Sequence, residues 1–533
     1  MKFDYIIIGA GSAGCVLANR LSENQNNKVA VFEAGGSSDI WKVKMPLALL
    51  YTMHDPKYNW KYYSEPEPHL NNRRLFCPRG KMIGGCSAHN GMVFVRGNKN
   101  DYERWENFGL KSWSYEKILP YFKKIETWSG GDNQYRGSLG LLPVDQSKND
   151  NPLFNAFLGA ASEAGHKINP DMNGEYQEGF GMFDTTIHNG ERASVAKYYL
   201  NPVKNRKNLN IFSNSFVEKI IFDGKKAIGI EVKIKNKIEK IYAEKELILS
   251  GGTINSPQLL QLSGIGPQKL LADLGIDTVH NLNGVGENLR DHYGTRLTAR
   301  AKNVSTINEL ARGPRLLGEI VKYFMGKDSI LELGPTLVYC FWHSDELIRN
   351  GDLQISFTPA SYKEGKQAWL DYEPGFSLAS WQQRPESLGY VRANNKNPFE
   401  KPIIQPNYLS HDEDRRVLLA GIKMSRRLMN TEAMAPYFDH EVYPGDHVQN
   451  DDELLDVARQ RSTTLYHLMG TCRMGMATDT TAVVDDQLRI HGLENIRVID
   501  ASIMPSMPSA NLNAAVMMIA EKGADMVLGK PPL

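Results

Sequence analysis

Apolar and polar residues near the start of the chain follow the pattern of a strand, a turn and a helix. An apolar run at 3–8 predicts a buried parallel strand, and apolar residues at helical spacing follow from 16 to 21. Between them stand Gly9, Gly11 and Gly14 in the spacing G-x-G-x-x-G. The first glycine permits a tight turn, the second lets backbone approach a pyrophosphate, and the third lets helix and strand pack closely. The unit therefore predicts a dinucleotide site at the N-terminus of the helix, where free N–H groups face an anion.

A second apolar run at 28–32 predicts the next strand, and Glu33 follows it directly. A carboxylate at this place can bind a ribose hydroxyl, and it disfavours NADP because it repels a 2′-phosphate. NAD and FAD both remain open from this unit alone. The competing interpretation is a glycine-rich turn in a doubly wound domain without a cofactor, which the complete context of strands, turn and helix disfavours.

Alternation of apolar and polar residues returns at 209–249 and predicts four strands, with Asp223-Gly224 as the turn signal of a hairpin. A helix is predicted at 253–260, where Pro257 fits the first turn. Near the end of the chain, 496–502 predicts a strand that returns to the nucleotide-binding sheet.

Residues 300–450 differ in character, with many prolines and with alternating segments at 353–357 and 376–379. This pattern predicts an antiparallel sheet on the substrate side. Helical periodicity marks four further stretches, which are 101–127, 151–166, 412–429 and 514–528. Asp101 is placed to act as the N-cap of the first of these helices.

These elements together predict a protein of the α/β class, which is α+β when both domains are considered together. A Rossmann-like dinucleotide-binding domain with a parallel sheet is interleaved with a substrate-binding domain that has an antiparallel sheet. A chain of 533 residues is too long for one compact core. We expect the nucleotide domain to comprise 1–150, 192–300 and 455–533, and the substrate domain 151–191 and 301–454.

Composition narrows the function without naming it. The 62 basic and 61 acidic residues balance to a net charge of +1, which provides no electrostatic footprint for nucleic acid. The five cysteines are odd in number and scattered, which favours reduced thiols, and we find no metal-ligand cluster. No apolar run approaches the roughly 20 residues that span a bilayer, and the N-terminus enters the first strand without a leader pattern. We expect a cytoplasmic protein and leave peripheral membrane contact open.

A second glycine-rich segment and a late histidine are the remaining candidates for chemistry. Gly84-Gly85 lets backbone run close against a flat ligand, and His89 ends the small-residue run that follows. From the pattern alone we favour a loop histidine bonded to backbone. His467 lies in a predicted loop, where a single histidine is more often structural than catalytic.

These stretches taken together resemble the glucose–methanol–choline (GMC) flavin oxidoreductases over nearly the whole chain, in particular the branch of choline dehydrogenase and choline oxidase. The second family signature matches at every position from Gly252 to Gly266. The first signature is matched by Gly80, Lys81, Gly84, Gly85, Ser87 and Asn90. It departs at Cys86, where Gly, Ser or Thr is usual, and at His89, where an aliphatic residue is usual. The resemblance implies that the cofactor is FAD.

The expected FAD-binding residues fall into two groups. The fingerprint supplies Gly9, Gly11, Ser12, Gly14 and Glu33. The resemblance implies Arg79, Gly84, Gly85, Asn90, Val217, Asp500 and Ala501. Val217 would use its backbone groups on the adenine, unless it is an ordinary strand valine. Asn513 is expected to face the pyrimidine end of the flavin, the alternative being an Asn turn.

The resemblance also makes a prediction for the bonding of His89. The stretch 84–90 is similar to the segment of choline oxidase in which a histidine is bonded covalently to the flavin ring. We predict the same bond here, and a histidine that merely lies against the ring is the equal alternative.

The family oxidises alcohols by passing a hydride from the alcohol carbon to flavin N5 while the hydroxyl proton leaves. By resemblance His467 is the base, since histidine titrates near neutral pH. Asn511 matches the second active-site position of the family, where an amide can hydrogen-bond the alkoxide oxygen. The implied function is FAD-dependent oxidation of a primary alcohol to an aldehyde, with oxygen or a quinone-like acceptor.

The substrate is less defined than the reaction. Tyr339, Phe341 and Trp342 indicate an apolar or aromatic cavity, the alternative being a core strand, and no carboxylate for a trimethylammonium group can be placed beside them. We therefore favour a neutral primary alcohol over choline. The alternatives are choline dehydrogenase or oxidase proper, a GMC-fold lyase that keeps FAD without net redox chemistry, an NAD(P)-dependent dehydrogenase, and a flavin-bearing protein without turnover.

Overall fold

The computed structural model describes residues 1–147, 150–334, 336, 338–363 and 369–533. Its first large sheet has seven strands. Across the sheet the order is Leu209–Phe212, Val29–Phe32, Lys2–Ile8, Lys237–Leu249, Lys226–Ile234 and Ser215–Asp223, and Ile496–Val498 pairs with the end of Lys237–Leu249. The first four are parallel to one another, and the hairpin pair after them is antiparallel. The predicted strand, turn and helix unit is thus confirmed at the centre of a parallel sheet.

The register of this sheet brings the carboxyl ends of its strands to one edge. Ile8 lies opposite both Phe32 and Leu249. The residues that follow these strands, Gly9 and Glu33, therefore meet at the same edge, as expected of ligand sites in open α/β sheets. Helix Ser12–Leu21 leaves this edge and packs against helix Asn513–Val527.

The second large sheet is antiparallel and has seven strands. Its order is Phe438–Tyr443, Tyr293–Ala301, Gly375–Gln382, Leu353–Thr358, Val338–Trp342 and Gly179–Met182, and Thr463–Thr464 pairs with the start of Tyr293–Ala301. Helices Pro152–Glu163 and Asp412–Met429 pack on this sheet. All six residues of Leu353–Thr358 are buried, and Leu353, Ile355 and Phe357 belong to the hydrophobic core that the two helices share.

The remaining helices and strands lie outside the two large sheets. The further helices are Trp41–Lys44, Leu49–His54, Lys99–Asn107, Tyr115–Ile125, Gly252–Leu262, Gln268–Asp273, Ile307–Leu310, Gly313–Phe324 and Asp451–Arg461. The further strands are Tyr62–Tyr63, Phe76–Cys77, Val93–Phe94, Glu126–Trp128, Leu142–Gln146, Asp184–Thr185, Ile187–His188, Glu191–Arg192, Ile265–Gly266, His280–Asn281, Tyr390–Arg392 and Ile403–Gln405. No helix in the described ranges has the length and apolar character needed to cross a membrane.

The predicted helix over 101–127 is wrong in two respects. It is divided into Lys99–Asn107 and Tyr115–Ile125, because Gly109 between them adopts a φ of +89° that a helix cannot contain. Its N-cap is Asn98, while the carboxylate of Asp101 accepts a hydrogen bond from the backbone N–H of Asn98 at 2.9 Å. Asp101 therefore serves as the third helical residue of a capping box.

The predicted fold class is confirmed by these two sheets. The division into domains stays a prediction. Strand Tyr293–Ala301, which lies almost wholly in the segment assigned to the nucleotide domain, pairs within the antiparallel sheet, and so does Thr463–Thr464. The polypeptide thus passes between the sheets close to His467.

Candidate active site

A cavity of about 3020 Å³ extends from the carboxyl edge of the parallel sheet to the antiparallel sheet. Fourteen of the residues predicted from sequence line it: Gly9, Gly11, Ser12, Glu33, Arg79, Gly85, His89, Asn90, Val217, His467, Asp500, Ala501, Asn511 and Asn513. Gly14 and Gly84 lie behind this lining. The structure therefore brings residues that are up to about 500 positions apart in sequence to one space.

Bare backbone forms the part of the cavity next to the parallel sheet. A Cβ atom on Gly14 would lie 1.9 Å from the carbonyl oxygen of Gly9, so only glycine lets the helix begin this close to the turn. A Cβ on Gly85 would lie 2.7 Å from Cα of Gly11, and Gly84 donates its N–H to the carbonyl of Ala10 at 2.7 Å. The two glycine segments are packed backbone to backbone, which suits an extended ligand that lies across them.

Glu33 lies at the same edge, with a side chain that faces the cavity and is otherwise buried. Its carboxylate accepts hydrogen bonds from the N–H groups of Ala10 at 3.0 Å and Gly35 at 2.8 Å. Burial raises the pKa of this carboxyl to about 7, and the two N–H donors oppose the shift. The contact with a ribose hydroxyl stays a prediction.

Two helices direct their N-termini into the cavity. Ser12 begins the helix Ser12–Leu21 and donates its hydroxyl to Oδ1 of Asn513, which begins the helix Asn513–Val527, at 2.7 Å. The positive ends of both helix dipoles therefore meet in one place, which favours an anionic or electron-rich ligand.

Asp500 joins the parallel sheet to the second signature segment. Its carboxylate accepts hydrogen bonds from the N–H of Gly252 at 2.8 Å and from the hydroxyl of Ser256 at 2.6 Å. These bonds hold the end of strand Ile496–Val498 against the start of helix Gly252–Leu262. Ala501 and Val217 line the cavity on this side.

His89 ends the short turn Gly85–Ala88 and is 93% buried. Its Nδ1 has no hydrogen-bond partner among the described residues. The interpretation from pattern alone, in which the ring is hydrogen-bonded to backbone, therefore does not hold for Nδ1. Burial lowers the pKa of His89 to about 3, and the charges of Arg192 and Arg79 act in the same direction. A neutral imidazole therefore lines the cavity, while its unpartnered Nδ1 is enclosed by protein.

Arg79 lies on the same wall as His89. Its Nη2 donates to the carbonyl of Tyr466 at 2.8 Å, while its buried Nε has no partner in the described part of the chain. Asn90 accepts from Nη1 of Arg192 at 2.8 Å. A permanent positive charge thus stands near the loop that carries His467.

His467 and Asn511 come together from two different loops. Nδ2 of Asn511 lies 3.0 Å from Nε2 of His467, and both side chains face the cavity. Burial of the His467 ring lowers its pKa well below the ordinary value of 6.5, and the neighbouring His292 and Arg79 shift the pKa in the same direction. His467 is therefore neutral at pH 7 and has the protonation state that a general base requires.

Sequence reasoning missed Asp291 and His292, which hold His467 in place. Asp291 accepts the backbone N–H of His467 at 2.7 Å. The ring of His292 is fully buried, and its Nδ1 lies 2.9 Å from Nδ1 of His467. The only local signal is an acid followed by a histidine, which by itself points to no function.

The wall above this pair is aromatic. Tyr339 and Trp381 line it, with ring centroids 6.1 Å apart. Burial raises the pKa of the Tyr339 hydroxyl, and a hydrogen bond from Asn511 opposes the shift. The prediction of a cavity wall is wrong for Phe341 and Trp342, because Phe341 is buried in the core and Trp342 packs against His166.

Two family models match this chain. Residues 3–294 match the N-terminal model of the GMC oxidoreductases, and residues 385–520 match the C-terminal model. The chain therefore belongs to the GMC oxidoreductase family and is an FAD-dependent oxidoreductase, which confirms the resemblance found in the sequence.

Within the family, the chain is similar to choline dehydrogenases. It is 41% identical to the mitochondrial choline dehydrogenase of Homo sapiens, covering 100% of this chain and 91% of that protein. It is 40% identical to the oxygen-dependent choline dehydrogenase of Vibrio vulnificus, covering 100% and 95%. Because the human relative is named as mitochondrial, the cytoplasmic location stays a prediction.

Solved structures agree with the fold over the whole length. Pyridoxine 4-oxidase from Mesorbium loti superposes with a TM-score of 0.89 at 28% identity, covering 98% of both chains. Formate oxidase from Aspergillus oryzae superposes with a TM-score of 0.90 at 25% identity, covering 99% of this chain and 98% of the other.

Proposed function

We propose that this protein oxidises a primary alcohol to an aldehyde, with His467 as the base and Asn511 as the group that holds the substrate oxygen. The observation that carries the proposal is the contact of Asn511 Nδ2 with His467 Nε2 at 3.0 Å, in a cavity that also contains the dinucleotide-binding residues. A base and an amide donor at hydrogen-bond distance can act on one hydroxyl group together.

The described residues fit FAD. The two packed glycine segments, the meeting helix N-termini and the carboxylate of Glu33 suit its pyrophosphate and ribose, and the neutral imidazole of His89 on the cavity wall suits its ring end. The nucleotide part of FAD would be held by Gly9, Gly11, Ser12, Gly14, Glu33, Val217, Asp500 and Ala501. The flavin part would be held by Arg79, Gly84, Gly85, His89, Asn90 and Asn513. Bound FAD would supply the acceptor for the hydride of the alcohol carbon.

The residues of the chain supply the proton chemistry. His467 is neutral near pH 7 because its position in the protein lowers its pKa, so Nε2 can take the hydroxyl proton of the alcohol. Asn511 can donate from Nδ2 to the same oxygen as negative charge develops there, which stabilises that charge.

We propose a neutral primary alcohol as the substrate class and keep choline as the alternative. Two features support choline: the relatives with 40–41% identity are choline dehydrogenases, and the aromatic rings of Tyr339 and Trp381 could hold a quaternary ammonium group by cation–π contact. For the electron acceptor, oxygen is supported by the name of the Vibrio vulnificus relative, and a quinone-like compound is the alternative.

We further propose that His89 forms a covalent bond to the flavin. The neutral state of this ring on the cavity wall supports the bond, because an imidazole nitrogen that keeps its lone pair can bond to carbon and a protonated one cannot. The bond would replace a C–H bond of the cofactor, with the proton released to solvent and the two electrons passed to the electron acceptor of the proposed reaction. Contact without a bond is the alternative.

Anaerobic mixing of the purified protein with choline, short alkanols and benzylic alcohols tests the proposed reaction. Bleaching of the flavin absorbance by one class identifies both reaction and substrate class, and the rate at which air restores the colour separates oxygen from another acceptor. His467→Ala should slow flavin reduction by about 100-fold or more while the protein stays yellow. Undiminished reduction in this variant would remove His467 as the base.

A further inference from the structure

His292 lies behind His467, away from the alcohol side of the ring. It directly precedes strand Tyr293–Ala301, and its ring is fully buried. Its Nε2 lies 2.8 Å from the carbonyl oxygen of Gln383, and its Nδ1 lies 2.9 Å from Nδ1 of His467. Both ring nitrogens of His292 are therefore in hydrogen bonds with fixed partners.

The carbonyl of Gln383 determines where the protons lie. A carbonyl oxygen only accepts, so Nε2 of His292 carries the hydrogen. In a neutral imidazole the other nitrogen then holds the lone pair, and Nδ1 of His292 accepts. Nδ1 of His467 must donate this bond, which leaves the lone pair of His467 on Nε2.

The orientation of Asn511 agrees with this assignment. Nε2 of His467 lies 3.0 Å from Nδ2 of Asn511, and an amide N–H can donate to a nitrogen lone pair. With the opposite amide orientation, Nε2 would need a hydrogen of its own, and His467 would have to be doubly protonated. One uniform chain of donors thus runs from Asn511 through His467 and His292 to Gln383.

We propose that His292 is a positioning residue that sets the tautomer of His467, so that the lone pair of the base points at the substrate. The inference deepens the proposed function and rests on it, because it concerns the same histidine. His292 touches neither substrate nor flavin site; it acts through Nδ1 of His467 alone. In the tautomer with the proton on Nε2, His467 would present an N–H to the alcohol and could not accept its proton.

The surroundings of His292 keep this arrangement in place. Burial lowers the pKa of His292 to about 4, so it is neutral at pH 7. The charged groups nearest to it, Asp101 and Arg384, are paired with each other at 2.6 Å. The carboxylate of Asp291 accepts the backbone N–H of His467 at 2.7 Å. Two adjacent residues, Asp291 and His292, therefore fix the backbone and the ring of His467.

Two substitutions separate the role in positioning from a role in folding. His292→Asn places an amide oxygen near the position of Nδ1 and keeps an acceptor for His467. His292→Leu removes the acceptor and fills similar space. The FAD content and the melting temperature of both variants establish that they are folded and loaded.

The limiting rate of anaerobic flavin reduction is then measured with the alcohol identified above. We expect His292→Leu to lower this rate about 10- to 100-fold, the range found for partners that orient metal-bound histidines, with little change in the alcohol concentration for half-maximal rate. His292→Asn should recover most of the loss. A His292→Leu rate within twofold of the wild type, while His467→Ala is slow, would overturn the proposal and leave the proposed function intact.

A spectroscopic measurement decides the tautomer without using activity. In the protein labelled with ¹⁵N-histidine, the imidazole signals of His467 are assigned by their loss in His467→Ala. We expect a protonated Nδ1 and an unprotonated Nε2 at pH 7.5 in the wild type, and a mixture of tautomers in His292→Leu. A protonated Nε2 in the wild type would refute the inference, even if His292→Leu failed to fold. If His467→Ala reduced flavin normally, His467 would not be the base of the proposed reaction, while the spectrum would still decide the tautomer.

Discussion

Nδ2 of Asn511 and Nε2 of His467 lie 3.0 Å apart although 44 residues separate them in the chain. Each residue stands in a loop, and each loop is anchored by the structure beside it: His467 by Asp291, and Asn511 by the helix that begins two residues later. The pair therefore has a fixed geometry toward a substrate oxygen, and each member can be tested separately.

Removal of the amide donor at Asn511 should slow the reaction more than it weakens binding. Asn511→Asp keeps the shape but loses the donor, so we expect flavin reduction to slow by about 10²–10³-fold, the usual cost of a lost donor to developing negative charge. Asn511→His keeps an N–H donor and serves as the matched control. Stopped-flow reduction under anaerobic conditions measures both variants, and equal rates for Asp and His would contradict a donor role.

The pH dependence of flavin reduction should be flat above the ordinary titration range of histidine. The pKa of His467 lies below 6.5, and a base is active when deprotonated, so the active form is complete above pH 6.5 and is lost as the pH falls through the lowered pKa. Measurement of the limiting reduction rate from pH 5 to 9 on fully loaded protein checks this. An acid limb centred above pH 6.5 would show that the lowered pKa does not govern the loaded enzyme.

The bond between His89 and the flavin should be visible on acid precipitation. We expect the yellow colour to stay with the precipitated wild-type protein and to appear in the supernatant of His89→Asn, because an amide cannot form the bond. The visible spectrum of both fractions is the measurement. Release of all flavin from the wild type would leave only a contact between the ring and His89.

The close packing of the two glycine segments should make Gly85 intolerant of a side chain. Gly85 has a φ of +51° and a Cβ there would meet Cα of Gly11 at 2.7 Å, whereas Gly224 has a φ of +58° with nothing within 4 Å. Gly224→Ala should cost about 1–2 kcal/mol of stability from backbone strain alone, and Gly85→Ala about 2–5 kcal/mol together with a loss of FAD content. Equal melting temperatures and equal FAD content in the two variants would show that the close contact between Gly85 and Gly11 is not required for stability or FAD binding.

Much of the fold could be predicted because its signals are local. The strand at Lys2–Ile8 and the helix at Asp412–Met429 follow from the spacing of apolar residues within one element. The prediction failed over 101–127, where Asn98 caps the helix three residues earlier and Gly109 divides it. The carboxylate of Asp101 joins the capping box and also binds Arg384 and the backbone of Ser509. A residue with partners 283 and 408 positions away cannot be assigned from its neighbours in sequence.

The sequence by itself determined the nucleotide-binding unit, the family and the cofactor class, because glycine spacing and hydrophobic period are properties of contiguous residues. Only the tertiary structure decided that His467 meets Asn511 on one side and His292 on the other. The pairing of Tyr293 with Thr464 brings His292 next to His467, since it joins two strands across 171 positions. The spacing of residues along the chain carries no information on such contacts, because they depend on the register of a sheet formed from distant segments.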